Sequence, residues 1–164
     1  LDTSSLGLIE VFQELARLDY RSFIPVKDKG IDVVGYNQEN HRFIAIQVKT
    51  SRRYEERYKS KGGEYGYWWE IPEKRHVDIR GNGVYYILVG LHFDVRNRSV
   101  INKNFFIIES VDLDHLLRDG AKFDKKNHVW RLEIIYDSKL ERFVSAFNQL
   151  CDFTLYHNAW GILK

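Results

Sequence analysis

GIDVVGYNQENHRFIAIQVKTS, running from Gly30 to Ser51, is the stretch whose reading decides the fold. The runs 31–36 and 42–49 alternate in character, and Asn37-Gln38-Glu39-Asn40 between them is built from turn formers. That is the pattern of a β-hairpin. Side chains on a strand alternate faces, so Gln47 and Lys49 point one way and Val48 the other. A turn centred between Gln38 and Glu39 sets Asp32 opposite Ala45 and Ile31 opposite Ile46. One face then collects Ile31, Val33, Ile44, Ile46 and Val48. The other collects Asp32, Gln47 and Lys49, with Val34, Phe43 and Ala45. A slip of one residue would destroy this separation, so burial of the apolar face specifies which residues share the polar one.

An acid, an amide and an amine on one face suit a hard cation. Mg²⁺ takes oxygen ligands in octahedral geometry and keeps several waters. Asp32 offers a charged oxygen, Gln47 a neutral one, and the carbonyl of Val48 a third. Lys49 is close enough to orient or activate water on the metal, and a cation also offsets charge that grows on a phosphate under attack.

Outward from the hairpin, Leu8, Val11, Phe12, Leu15 and Leu18 recur at helical spacing, which predicts a helix over 5–19 capped by Ser4 or Ser5. Residues 21–26 suit a short strand ending near Pro25. Residues 84–93 are continuously apolar, as in a strand buried on both faces. Phe105 to Ile108 reads as a further strand, 111–118 as a short helix capped by Ser110, and 128–136 as an alternating strand. Leu140, Phe143, Val144, Phe147 and Leu150 predict a closing amphipathic helix over 138–151.

The segment 51–66 mixes Arg52, Arg53, Arg57, Lys59 and Lys61 with Glu55 and Glu56, and Gly62-Gly63 interrupts it. It reads as a mobile loop, or as a short helix leading into one. Basic residues interleaved with Tyr65, Tyr67, Trp68 and Trp69 could grip phosphates and stack on bases. The plainer reading packs the tryptophans on a sheet edge. Arg52 and Arg53 stay open between phosphate contacts and surface charge. Thr50 and Ser51 are equally suited to a phosphate or to capping the strand end.

Composition sets the outer bounds. The 164 residues are 44% apolar, which suits one domain over 1–164 with a real core. No stretch approaches the ~20 apolar residues of a membrane span, so no membrane partner is expected. No signal peptide is visible. The lone Cys151 excludes an internal disulfide framework and suits a reducing cytoplasm. A net charge of +2 neither demands nor excludes nucleic acid, since local patches outweigh the sum. The six histidines show no zinc-like spacing, and neither glycine cluster makes a phosphate loop.

Gly30-Ile31-Asp32 followed by Ile46-Gln47-Val48-Lys49-Thr50-Ser51 resembles the D…(E/Q)xK signature of the PD-(D/E)xK nuclease superfamily. The glutamine form is similar to Mrr-type and archaeal-resolvase-like domains. The resemblance covers roughly residues 5–51 and the strand near 84–93, giving a motif core of about 5–93. It implies an α/β, restriction-endonuclease-like core: a mixed central β-sheet flanked by helices. It implies cleavage of phosphodiester bonds with Mg²⁺ or Mn²⁺, most naturally by a DNA endonuclease of defence, restriction or repair. Carried over, Asp32 and Gln47 become metal ligands and Lys49 the catalytic lysine. Many relatives complete the site with a glutamate from the first helix, for which Glu10 is the candidate and Glu14 the reserve. Ser51, Arg52 and Arg53 are the candidate contacts to nucleic acid. Ile31 stands where the signature has proline. Gln47 replaces an acid, which should weaken metal affinity. The resemblance leaves room for a homodimer or a place in a larger defence or repair system. The competing reading is a catalytically silent nucleic-acid-binding or assembly module on the same fold, and a third is a domain acting on RNA.

Overall fold

The hairpin forms, in a computed structural model that describes residues 2–27, 29–96 and 98–164. Helix α1 spans Thr3–Arg17, strand β1 Tyr20–Phe23, β2 Val33–Asn37 and β3 Arg42–Arg52. The α1 N-cap is Asp2, whose carboxylate accepts the Ser5 amide at 2.8 Å. The helix therefore starts ahead of the serines expected to cap it, because an aspartate two residues upstream of Ser4 can take the role.

In the hairpin Val33 faces Ile46 and Val34 faces Ala45. The register thus differs by two residues from the one read off the sequence. Asn37 accounts for the shift: its side-chain oxygen accepts the amides of Glu39 and Asn40, and His41 turns the chain at φ 55°. A shift of two preserves the faces. Val33, Ile44 and Ile46 are buried with Val11 and Leu15 of α1, and Val48 packs against the same cluster. Ile31 departs from the scheme. It lies ahead of β2, outside strand alternation, and shares a cavity with Ala45 on the opposite side.

After β3 come the short helix α2 (Glu56–Lys59), β4 (Tyr65–Pro72), α3 (Glu73–Ile79) and β5 (Val84–Phe93). The chain continues through β6 (Val100–Glu109), α4 (Ser110–Gly120), β7 (Ala121–Asp124), β8 (Val129–Asp137) and β9 (Arg142–Ser145). One sheet has the order β1-β2-β3-β5-β6. Only β3 and β5 run parallel in it; the other pairs are antiparallel. This is the mixed central sheet, with α1 against one face.

The other face meets a second sheet that the sequence reading lacks, ordered β4-β8-β7 with β9 also paired to β8. Tyr67, Trp69, Ile71, Leu132 and Ile134 pack on Tyr86, Leu88, Phe106 and Ile108. Burying such side chains stabilises by about 1.5–3 kcal/mol each, so the second sheet is integral to the core.

The expected helix over 138–151 is absent. Asp137 accepts the amides of Lys139 and Leu140, Glu141 turns at φ 50°, and the chain returns as β9. Phe143 and Val144 are both buried, in different clusters, while Leu140 and Leu150 are exposed. The apolar spacing that suits a helix is spent here on two sides of a sheet edge. Ser110 does not act as an N-cap either: α4 begins at Ser110, and its hydroxyl is engaged with both backbone groups of Gly81. Among the described residues no helix is long and apolar enough to cross a membrane.

Candidate active site

β2 begins to pair with β3 only at Val33 opposite Ile46, whereas β3 runs on to Arg52. Along the stretch past Ile46, side chains take over the work of the missing strand. The Asp32 carboxylate accepts the Val48 amide at 2.7 Å through Oδ2. The Gln47 side-chain amide donates to the same Oδ2 and, at 3.1 Å, to the Val48 carbonyl. Gln47 is 3% exposed, and its Oε1 is buried without a hydrogen-bond partner.

That arrangement tests the site for a cation. The Gln47 Nε2 stands between two acceptors, Asp32 Oδ2 and Val48 O, where a positive charge would be welcome. The two ends of an amide are nearly the same size. A half-turn of the Gln47 side chain would bring the orphaned oxygen into the group, and three oxygens would then converge. The donor set is all oxygen, which fits a hard divalent ion that keeps waters. It holds a single carboxylate, and among the described residues no three of His, Cys, Asp and Glu gather to bind a metal. The residues present fit a weakly held Mg²⁺ or Mn²⁺.

These groups border a cleft of about 630 Å³. Its walls come from four elements besides Asp32: Thr3, Ser4, Ser5 and Leu8 of α1, the end of β3 with Tyr54 beyond it, Trp68, Trp69 and Glu70 of β4, and Arg75 of α3. Gly7 brings α1 onto this part of β3, for a Cβ there would lie 1.9 Å from the Thr50 hydroxyl. Gly30, at φ 94°, does the same for α3, since a Cβ would meet the stem of Arg75 at 2.8 Å. Lys49, Arg52 and Arg75 are the cations of the cleft among the described residues.

The remaining candidates divide. Arg52 lines the cleft and donates through Nε to Thr3 Oγ1 at 3.2 Å. Arg53 turns to the face that Lys49 and Ser51 share but lies beyond the lining of the cleft, stacked 3.9 Å over Tyr65 and paired with Glu55 at 3.0 Å. Alternation along the strand separates the two. Ser51 is 4% exposed; its hydroxyl donates to Arg52 O and accepts the Trp68 amide at 3.1 Å. It ties β3 to β4 instead of presenting a free hydroxyl to a phosphate. Glu10 does not reach the site: it pairs with Lys103 of β6, and Glu14 lies 3.8 Å from the same lysine. With Gly7 seated on Thr50, both glutamates are turned toward β6.

Sequence reasoning missed Glu70, Arg75, Tyr54 and the α1 hydroxyls. Glu70 is the second acid of the cleft among the described residues and lies 3.4 Å from Arg131. Below the site, Tyr86 is the β5 partner of Gln47 and sits near the Nδ1 of buried His76, 3.3 Å away. Burial pushes the Tyr86 hydroxyl far up, the charge of Arg75 opposing and that of Asp32 adding. Burial holds His76 below the usual histidine range, against the pull of Asp114.

Comparison with solved structures finds the bacterial homing endonuclease I-Ssp6803I, at TM-score 0.53 and 14% identity, covering 98% of this chain and 88% of that one. The fold is nuclease-like. No protein-family model matches the chain, and no curated protein does. In the nuclease-like fold, the hairpin described above carries Asp32, Gln47 and Lys49 together into one cleft.

Proposed function

We propose that the chain is a divalent-metal-dependent nuclease that hydrolyses phosphodiester bonds in DNA, as an endonuclease of defence, restriction or repair. The observation that carries this reading is the Gln47 amide seated between Asp32 Oδ2 and Val48 O, beside Lys49 in a cation-lined cleft. Likeness of fold to a homing endonuclease supports it.

Asp32, Gln47 and the Val48 carbonyl would hold Mg²⁺ or Mn²⁺, which would acidify water and offset charge on the phosphate. Lys49 donates to the attacking water or to the oxygen on which charge grows, an interaction worth most at the transition state. Arg52 and Arg75 hold the flanking phosphates. The water oxygen forms the new bond to phosphorus as its proton passes to solvent, the bond to the leaving oxygen breaks, and that oxygen takes up a proton from solvent.

The test is cleavage of supercoiled, linear and single-stranded DNA with Mg²⁺, Mn²⁺ or a chelator. Lys49→Ala should retain binding and lose about a hundredfold or more in rate, in the range seen when one transition-state donor is removed. Calorimetry should show Mn²⁺ binding lost in Asp32→Ala. Wild-type rates in Lys49→Ala, or unchanged metal binding in Asp32→Ala, reject the assignment. The single carboxylate of the donor set favours a second reading, a domain that binds nucleic acid without cutting it. Metal-independent binding with no cleavage of any substrate would select that one.

A further inference from the structure

We propose that the cleft receives a strand with an unpaired base stacked on Trp68, so that the substrate is single-stranded or locally opened DNA. This deepens the nuclease reading and rests on it. The two neighbouring tryptophans of β4 have different fates. Trp69 is 3% exposed and packs in the core with Tyr67 and Ile71. Trp68 is only half-buried, on the opposite face of the strand, and borders the cleft that holds Asp32 and Lys49. An indole kept out of the core at the border of this cleft is available to stack on a bound base.

The ring is braced as a platform would be. Its backbone amide is held by Ser51, two residues beyond Lys49, which fixes β4 against the end of β3. The Arg57 guanidinium lies 5.5 Å from the Trp68 ring centroid. Arg57 is in turn fixed by Glu133, the β8 partner of Trp68, whose side chain is 5% exposed and which also takes Lys61 at 2.6 Å. The basic stretch after the motif is thus pinned to the second sheet, and of its two sequence readings the short helix leading into a loop is the one that forms, as α2. Tyr54 is a further aromatic on the same cleft, and Arg52 and Arg75 supply charge for the phosphates either side of a stacked base.

Stacking on an aromatic side chain is sequence-tolerant and strong for a base that is already free. A base inside a duplex must first be unstacked and unpaired, which costs a few kcal/mol. The combination of braced indole, further ring and flanking cations therefore discriminates by strandedness.

The experiment measures fluorescence anisotropy of the intact chain in chelator, with a labelled oligothymidylate and with a hairpin duplex carrying the same number of phosphates. The single strand should bind more tightly. Trp68→Leu should weaken single-strand binding about tenfold, the middle of the range for loss of one stacked base, and leave duplex binding nearly unchanged. Trp68→Phe, which keeps a ring, should stay within about threefold of wild type. Equal affinity of the wild type for the two forms overturns the proposal without recourse to any variant, as does wild-type single-strand binding by Trp68→Leu. Parallel cleavage assays separate the two readings. Absence of cleavage with the strand preference intact refutes the nuclease and supports the stacking site. Efficient duplex cleavage indifferent to Trp68 refutes the stacking site alone.

Discussion

Replacing Gln47 by glutamate should destabilise the metal-free protein strongly at neutral pH and hardly at all near pH 5. In the wild type the Gln47 amide donates to Asp32 Oδ2 and to Val48 O. Glutamate removes both donors and sets a second carboxylate against the first. Two unit charges about 3 Å apart at an effective dielectric of about 20 repel by roughly 5–6 kcal/mol. The pair has a cheaper option, which is to bind a proton. Protonating a carboxyl with an ordinary pKa near 4.3 at pH 7 costs about 3.7 kcal/mol, and the new hydroxyl can then donate to Asp32. Protonation therefore wins, and it caps the penalty at about 4 kcal/mol at pH 7. The introduced group has a folded-state pKa raised above its unfolded value, so the folded variant binds the extra proton. The penalty shrinks by about 1.4 kcal/mol for each pH unit lost, to about 1 kcal/mol at pH 5. At about 2–4 °C per kcal/mol for a chain of this size, the melting point should fall by roughly 8–16 °C at pH 7 and by a few degrees at pH 5. Mn²⁺ should reverse the loss, because a cation satisfies two carboxylates better than one; the variant should gain more on metal addition than the wild type does. Differential scanning calorimetry over pH 5–8, with and without Mn²⁺, reads all of this. A variant that melts like the wild type at every pH and gains nothing from Mn²⁺ would show that Gln47 does not lie against Asp32, and the metal site would go with it.

Arg52→Ala should flatten the log–log salt dependence of duplex binding by about one unit, whereas Arg53→Ala should leave the slope alone and lower stability, since Arg53 is spent on Tyr65 and Glu55. Equal slopes in the two variants would refute that division. Glu133→Ala strips Arg57 and Lys61 of their shared acid, and since both cations are partly exposed the loss should be about 1–3 kcal/mol in urea unfolding, with faster proteolysis in 53–63; a loss under about 0.5 kcal/mol would refute the brace. Burial depresses His76 and His157 below the ordinary histidine value of 6.5, so both contribute stability that is present above that pH and is lost as pH falls through their folded-state values. Urea midpoints should decline on acidification below pH 6.5, and less steeply in His76→Phe; an identical slope in the variant would remove His76 from the account.

What was legible in the sequence follows from which features are invariant to small errors. The two faces of the 30–49 hairpin survived a register displaced by two residues because side-chain alternation has period two. The displacement itself was not legible: it comes from the Asn37 side chain gathering the amides of Glu39 and Asn40, which lengthens the turn. The run 84–93 was unambiguous because both of its faces are buried. The 138–151 segment was ambiguous in principle, since Phe143 and Val144 satisfy a helical stripe and a two-faced strand equally, and only the Asp137 turn decides between them. Glu10 was assigned from its helix, yet its direction depends on how α1 is rotated about its own axis, which the contact of Gly7 with Thr50 sets. Glu70 and Arg75 reach the cleft from β4 and α3, elements whose placement against β3 no local pattern encodes.

The glutamine at position 47 can be understood from the place where β2 stops. Beyond Ile46 the outer edge of β3 lacks a paired strand among the described residues, and the backbone of Val48 must find partners elsewhere. Asp32 supplies an acceptor for its amide, and Gln47 supplies a donor for its carbonyl. A carboxylate at 47 could not donate to that carbonyl unless protonated, so in the absence of metal an acid there would leave Val48 unsatisfied and crowd Asp32. An amide satisfies the edge unaided and still carries an oxygen that a half-turn makes available to a cation. On the proposed metal role, the cost would fall on the bound state, where one charged ligand is missing. The same residue that lets the metal-free chain hold its shape would then make metal binding weak, and occupancy should follow the concentration of free Mg²⁺ or Mn²⁺ over a range in which a two-carboxylate site would already be full.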